Sequence, residues 1–128
     1  MSCSNDDGDK VAENETFLEI YDGKGFAGND GEEFVYFFDT TSDFLSYVEV
    51  DIDGTICDSF SVGENSLEGE YVEVEITENT PTKLSIEIYY SSESITDFYN
   101  FVKINDTEIT VDGDVFSLTS EPLSKFCN

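Results

Sequence analysis

A chain of 128 residues makes one domain, long enough to bury a single core without many covalent staples. Its 30 Asp and Glu against 5 Lys and Arg leave a net charge of −25 at pH 7. That surface repels phosphate backbones, excluding nucleic acid as a partner, and it resists self-association, so a monomer is expected. The chain has no His, which removes His-activated nucleophiles and the commonest transition-metal ligand and makes an enzyme the poorer expectation.

Residues 1–15, MSCSNDDGDKVAENE, are polar and acidic with no apolar period, and read as a flexible tether ahead of a folded domain spanning 16–128. From Thr16 onward short apolar alternations are broken by turn residues every eight to twelve positions or so. No stretch approaches the roughly 20 apolar residues of a membrane helix, and no helix is evident. The segment EFVYFFDT (33–40) predicts a strand with apolar residues on both faces, to be placed against a ligand, a partner or a covering segment. YVEVDIDGTICDSFSV (47–62) predicts a hairpin turning at Asp53-Gly54, with Val48, Val50 and Ile52 inward and Glu49 opposite Asp58.

YVEVEIT (71–77) and KLSIEIYY (83–90) alternate cleanly, and the ENTP between them is turn chemistry, so they form a second hairpin with Val72, Val74, Ile76, Leu84, Ile86 and Ile88 on the dry face. FYNFVKI (98–104) again carries apolar residues on both faces. TEITVDGDVFSLT (107–119) holds the strongest local signal: a type I′ turn at Asp112-Gly113 pairs Val111 with Asp114 and Ile109 with Phe116. The stretches 23–32 and 62–70 read as the sizeable loops. The sum is an all-β fold: an antiparallel up-and-down meander of about eight strands, closed or nearly closed into a barrel.

Three cysteines are an odd count, which in an exported protein asks for a separate role for one of them. A bond between Cys57 and Cys127 would close a loop of about 70 residues and hold the C-terminus, contributing at most about 4 kcal/mol in the chain-entropy picture. Cys3 lies apart, in the tether. The order Ser2, Cys3, then a run of acids in SCSNDDGD is similar to the mature start of small lipoproteins of Bacteroidetes, in which the Cys is acylated. FLEIYDGKGF, EITENTPTKLSIEI and the closing FCN resemble flavobacterial lipoproteins of lipocalin-like or β-meander type, with Phe26 standing near the family's Trp. The resemblance implies an acyl anchor on Cys3, a place at the outer membrane with the domain exposed at the surface, and a lipocalin-like barrel. It implies no reaction.

Three functions follow as expectations. The first is a barrel that takes a small hydrophobic or glycan-like ligand against aromatic side chains, the candidates being Phe34, Tyr36, Phe38, Tyr89, Tyr90, Phe98 and Phe101. The second is a calcium module, since EVDIDGTICD carries Glu49, Asp51, Asp53 and Asp58 in partial likeness to a calcium loop, although Phe60 stands where the bidentate Glu belongs. YDGKGFAG (21–28) also resembles the Tyr-x-x-x-x-Phe-x-Gly corner of βγ-crystallin domains. The third is an envelope adaptor with no small ligand. No cofactor is expected beyond calcium in the second case.

Overall fold

The computed structural model describes residues 15–39, 41–67 and 70–127; Cys3 and nearly all of the tether lie outside them. Ten antiparallel strands follow one another around a nearly closed barrel. They are β1 Gly25–Gly28, β2 Glu33–Phe37, β3 Asp43–Asp51, β4 Gly54–Ser61, β5 Gly63–Leu67, β6 Glu70–Asn79, β7 Lys83–Tyr90, β8 Ile95–Asn105, β9 Glu108–Val111 and β10 Asp114–Thr119. Every neighbouring pair in the chain is bonded except β4 and β5, while β1 pairs with β10 to join the two runs. The up-and-down meander is therefore as expected, with ten strands rather than eight. The two extra strands, β1 and β5, come from the stretches read as loops.

The seam between β4 and β5 has a local cause. Only Val62 separates them, so the chain must fold back at once, and Gly63 supplies the left-handed backbone at φ 103° that a side chain would resist. Asn65 then bonds through its side chain to the backbone N–H and carbonyl of Ser61 at 3.0 and 2.6 Å. A side-chain amide thus takes the place of a ladder at the vertex, and the two strands diverge beyond it.

One end of the barrel is sealed. Thr16 and Glu19 form a capping box, with Glu19 N–H donating to Thr16 Oγ1 at 3.2 Å and Thr16 N–H to Glu19 Oε1 at 2.8 Å, which starts the single-turn helix α1, Phe17–Ile20. The T-x-x-E spacing was legible in the sequence, and the expectation of no helix missed it. The turn is held by its tertiary contacts, since four residues cannot sustain a helix alone. Phe17, Leu18 and Tyr21 are buried inside the barrel mouth. Phe17 meets the Phe37 ring edge-on at 5.1 Å, Tyr21 meets Phe26 at 5.2 Å, and Phe37 meets Phe101 at 5.3 Å. Such edge-to-face pairs add to the burial of ring surface. Leu18 N–H donates to Asn79 Oδ1 at the end of β6, and Tyr21 Oη to the Asn105 carbonyl at the end of β8.

The hairpins bear out the sequence pattern in two cases and correct it in one. Val111 pairs with Asp114 and Ile109 with Phe116, with Asp112 and Gly113 both at positive φ, 51° and 95°. In β6 and β7, Val72, Val74, Leu84, Ile86 and Ile88 are buried. In β3 and β4 the turn sits one residue earlier than expected, which moves each cross-strand partner by two: Asp51 pairs with Gly54, Glu49 with Ile56 and Tyr47 with Asp58. The turn therefore holds Ile52 and Asp53, and Ile52 is 98% exposed at its tip. Glu49 does not face Asp58, so the like-charge clash of the Asp53-Gly54 register is absent. The inward face of β3 is Leu45 and Tyr47, while Val48 and Val50 point outward.

Those outward residues are covered by the chain's own C-terminal segment. Leu123–Lys125 form one 3-10 turn, and Leu123, Phe126 and Cys127 pack with Phe34, Tyr36 and Val48 on the outside of β2 and β3. Phe126 lies over Phe34 with ring centres 4.5 Å apart, and Tyr36 Oη donates to the Glu121 carbonyl at 2.9 Å. Cys127 is bonded to Cys57 of β4, Cα to Cα 6.2 Å. The strap thereby crosses from β10 to the strand at the seam. Gly25 makes room beneath it: a Cβ there would stand 2.2 Å from the Tyr36 ring.

Candidate functional site

At the end opposite α1 the barrel interior holds an open cavity of about 530 Å³. Its floor is apolar: Leu45 from β3, Phe60 from β4, Ile86 from β7, Phe101 from β8, Val111 from β9 and Phe116 from β10. Strand alternation puts these side chains there, each being the inward member of its pleat. Above the floor stand Tyr47, Tyr90 and Tyr99. The rim carries Glu33, Asp58, Glu70, Glu93, Asp112 and Asp114, and among the described residues no Lys or Arg lines the space.

The rim carboxylates and the tyrosines act on one another. Tyr47 Oη donates to Glu33 Oε2 at 2.8 Å. Burial, that hydrogen bond, and the charges of Glu33 and Glu49 together push the Tyr47 hydroxyl far above its ordinary pKa. Tyr99 is raised as well, by burial and then by Asp97 and Asp112. Both rings therefore stay protonated at any physiological pH and present electron-rich faces, with the Tyr47 hydroxyl proton already engaged by Glu33. Asp112 is itself held by accepting a hydrogen bond from Asn100 N–H at 2.9 Å.

No known protein family, curated protein or solved structure matches this chain. Its own geometry must carry the functional reading.

Of the seven aromatic candidates, only Tyr90 and Phe101 line the cavity. Phe34, Tyr36 and Phe38 lie on the outer wall with the C-terminal strap. The covering segment, one of three alternatives for the two-faced strand 33–40, is what they meet. Tyr89 and Phe98 point to solvent from the outer faces of β7 and β8, at 40% and 61% exposure. They form a diagonal row with Tyr71 of β6, since Tyr89 is level with Glu73 on one side and Thr96 on the other. The residues that sequence reasoning missed are Tyr47, Tyr99 and, Asp58 apart, the acidic rim. A signal existed for Tyr99, which has the same parity in β8 as Phe101; Tyr47 was hidden because the C-terminal segment covers the opposite face of β3, so that Val48 and Val50 are packed outside the barrel and no longer mark its interior.

The four calcium candidates separate. Asp58 lines the cavity, Glu49 lies opposite Ile56, and Asp51 and Asp53 sit exposed at the hairpin tip. Among the described residues no three acidic or Cys side chains converge as a metal site. The βγ-crystallin-like segment 21–28 is the end of the plug followed by β1. The Cys57–Cys127 pair sits on the outer wall, on the opposite face of β4 from the cavity.

Proposed function

We propose that this protein is a non-enzymatic binding barrel, tethered at the outer-membrane surface through an acylated Cys3, that takes a small amphipathic ligand into its interior. The observation that carries the binding reading is the pairing of a sealed end with an open one above an apolar floor. A volume of about 530 Å³ lies within the range of sites for drug-sized molecules, and apolar lining with a few placed polar groups is their usual character. An eight-stranded barrel is just filled by its own side chains; ten strands leave room for more. The address is supported by the order of Ser2, Cys3 and the acids that follow, and a bonded Cys57–Cys127 pair suits an oxidising compartment. The lack of His and the upward displacement of the cavity tyrosines, the wrong direction for a base at neutral pH, favour binding over catalysis.

The test of the pocket is titration with a neutral apolar fluorophore such as N-phenyl-1-naphthylamine. Saturable one-to-one binding is expected, abolished by Val111→Trp with its circular dichroism unchanged and retained in Phe98→Ala on the outer wall. An absence of saturable binding in the native protein overturns the reading in favour of an adaptor with no small ligand. The address is tested separately: expression behind a lipoprotein signal, followed by intact mass measurement, should show acyl chains on Cys3, and an unmodified Cys3 refutes it.

A further inference from the structure

We infer that the ligand of the barrel is a cationic amphiphile, an organic ammonium with an apolar body, rather than a fatty acid, a neutral lipid or a metal ion. This rests on the interior being a binding site, the reading given above. What it adds is the chemical class, decided by how the lining is layered. The floor, with Ile86, Phe101 and Val111, can hold only an apolar body. The next layer, Tyr47, Tyr90 and Tyr99, offers ring faces and hydroxyls, the surroundings in which ammonium groups are stabilised by aromatic quadrupoles. Among the described residues the charged groups of the rim are all anionic. A ligand carboxylate or phosphate placed at that depth would meet Glu33 and Asp112 with no described Lys or Arg lining the cavity to receive it, and like charges in a partly desolvated site repel strongly. A neutral ligand is tolerated by the floor but draws nothing from the rim.

A bare metal ion is disfavoured by spacing. Calcium needs six to eight oxygens at roughly 2.3–2.6 Å, and among the described residues no three acids group closely enough to hold a metal ion. A diffuse ammonium needs no such convergence. The acids select among ligands of the cavity; the cavity and its tyrosines make the site.

The experiment is calorimetric titration of the intact protein with three decyl amphiphiles below their micellar concentrations: decyltrimethylammonium, decanol and decanoate. The expected order is the ammonium tightest, roughly tenfold above decanol, with decanoate weakest. Equal affinities for the ammonium and decanol overturn the inference while leaving the binding barrel standing; no binding of any of the three overturns both. A second arm separates the rim from the general negative field of the protein. Glu33→Gln keeps an acceptor for Tyr47, and Asp112→Asn leaves Asn-Gly, a favoured pair for a type I′ turn, so the double variant should fold. It should bind decyltrimethylammonium roughly fivefold more weakly and decanol unchanged. The matched variant E73Q/E75Q on the outer face of β6 should leave both affinities as they were. An equal loss in the two double variants shows that overall charge alone attracts the cation, and the assignment to the rim fails.

Discussion

The two ends of the barrel are assembled from the same strands, yet one closes and the other does not. At the sealed end Phe17, Tyr21, Phe26 and Phe37 interlock ring against ring, and the plug's polar atoms find partners on Asn79 and Asn105. At the open end the inward positions pass from Phe101 and Ile86 to Tyr47 and Tyr99, then to carboxylates. Burying those acids would strip water from charged groups at a high cost. Among the described residues the apolar surface beneath the rim stays open.

Alkali should break both ends at once, and we expect it to have the largest effect. Tyr21, Tyr36, Tyr47 and Tyr99 are all raised above the ordinary value of 10.0 in the folded protein. The native state thus keeps protons that the unfolded chain gives up. The stability these groups contribute is complete below pH 10 and is lost as pH rises toward their higher folded values. Denaturant midpoints should be flat from neutrality to that point and fall beyond it, and Tyr47→Phe with Tyr99→Phe should lessen the fall. An unchanged slope in the double variant would contradict this account.

Loss of the plug comes next. Phe17→Ala removes a fully buried ring from the aromatic seal and should cost about 4 kcal/mol in urea unfolding. Cutting the strap with Cys57→Ser releases a 70-residue loop and should cost about 3 kcal/mol, with no change at the plug. Should the loss prove negligible, the outer packing of Phe126 on Phe34 is holding the tail unaided. Gly25→Ala drives a methyl group into the Tyr36 ring and should cost about 2 kcal/mol, as overpacking does. Smallest is the rim: E33Q/D112N removes two like charges and should shift stability upward by no more than about 0.5 kcal/mol. A loss of several kcal/mol there would mean that the open end is a structural seal after all.

Legibility followed locality. The Asp112-Gly113 hairpin could be read because turn chemistry and alternation specified the same register. The β3–β4 hairpin misled because Asp53-Gly54 is good turn chemistry too, but the ladder turns at Ile52-Asp53. That one-residue shift moved Glu49 out of register with Asp58. With the outer wall of β3 covered by the strap, both Val48 and Leu45 could be buried on opposite faces. Likewise EFVYFFDT, apolar on both faces, announced that something covers its second side without saying what. Of the residues that line the cavity, Phe101 and Tyr90 lay among the aromatic candidates and Asp58 among the calcium candidates; the other acids of its rim were hidden among 30, where no local pattern distinguishes an inward carboxylate from a solvated one.

By itself, then, the sequence determined the all-β class, the meander and the strongest hairpins, because alternation and turn residues are properties of short segments. Only the tertiary structure decided that β1 closes on β10, that β4 and β5 stay apart, that the tail covers one outer wall while Tyr71, Tyr89 and Phe98 are exposed on another, and that among the described residues six acids ring one mouth. These depend on which distant strands become neighbours, and closure sets that through the packing of α1 and the strap, contacts spanning as many as 85 residues of chain.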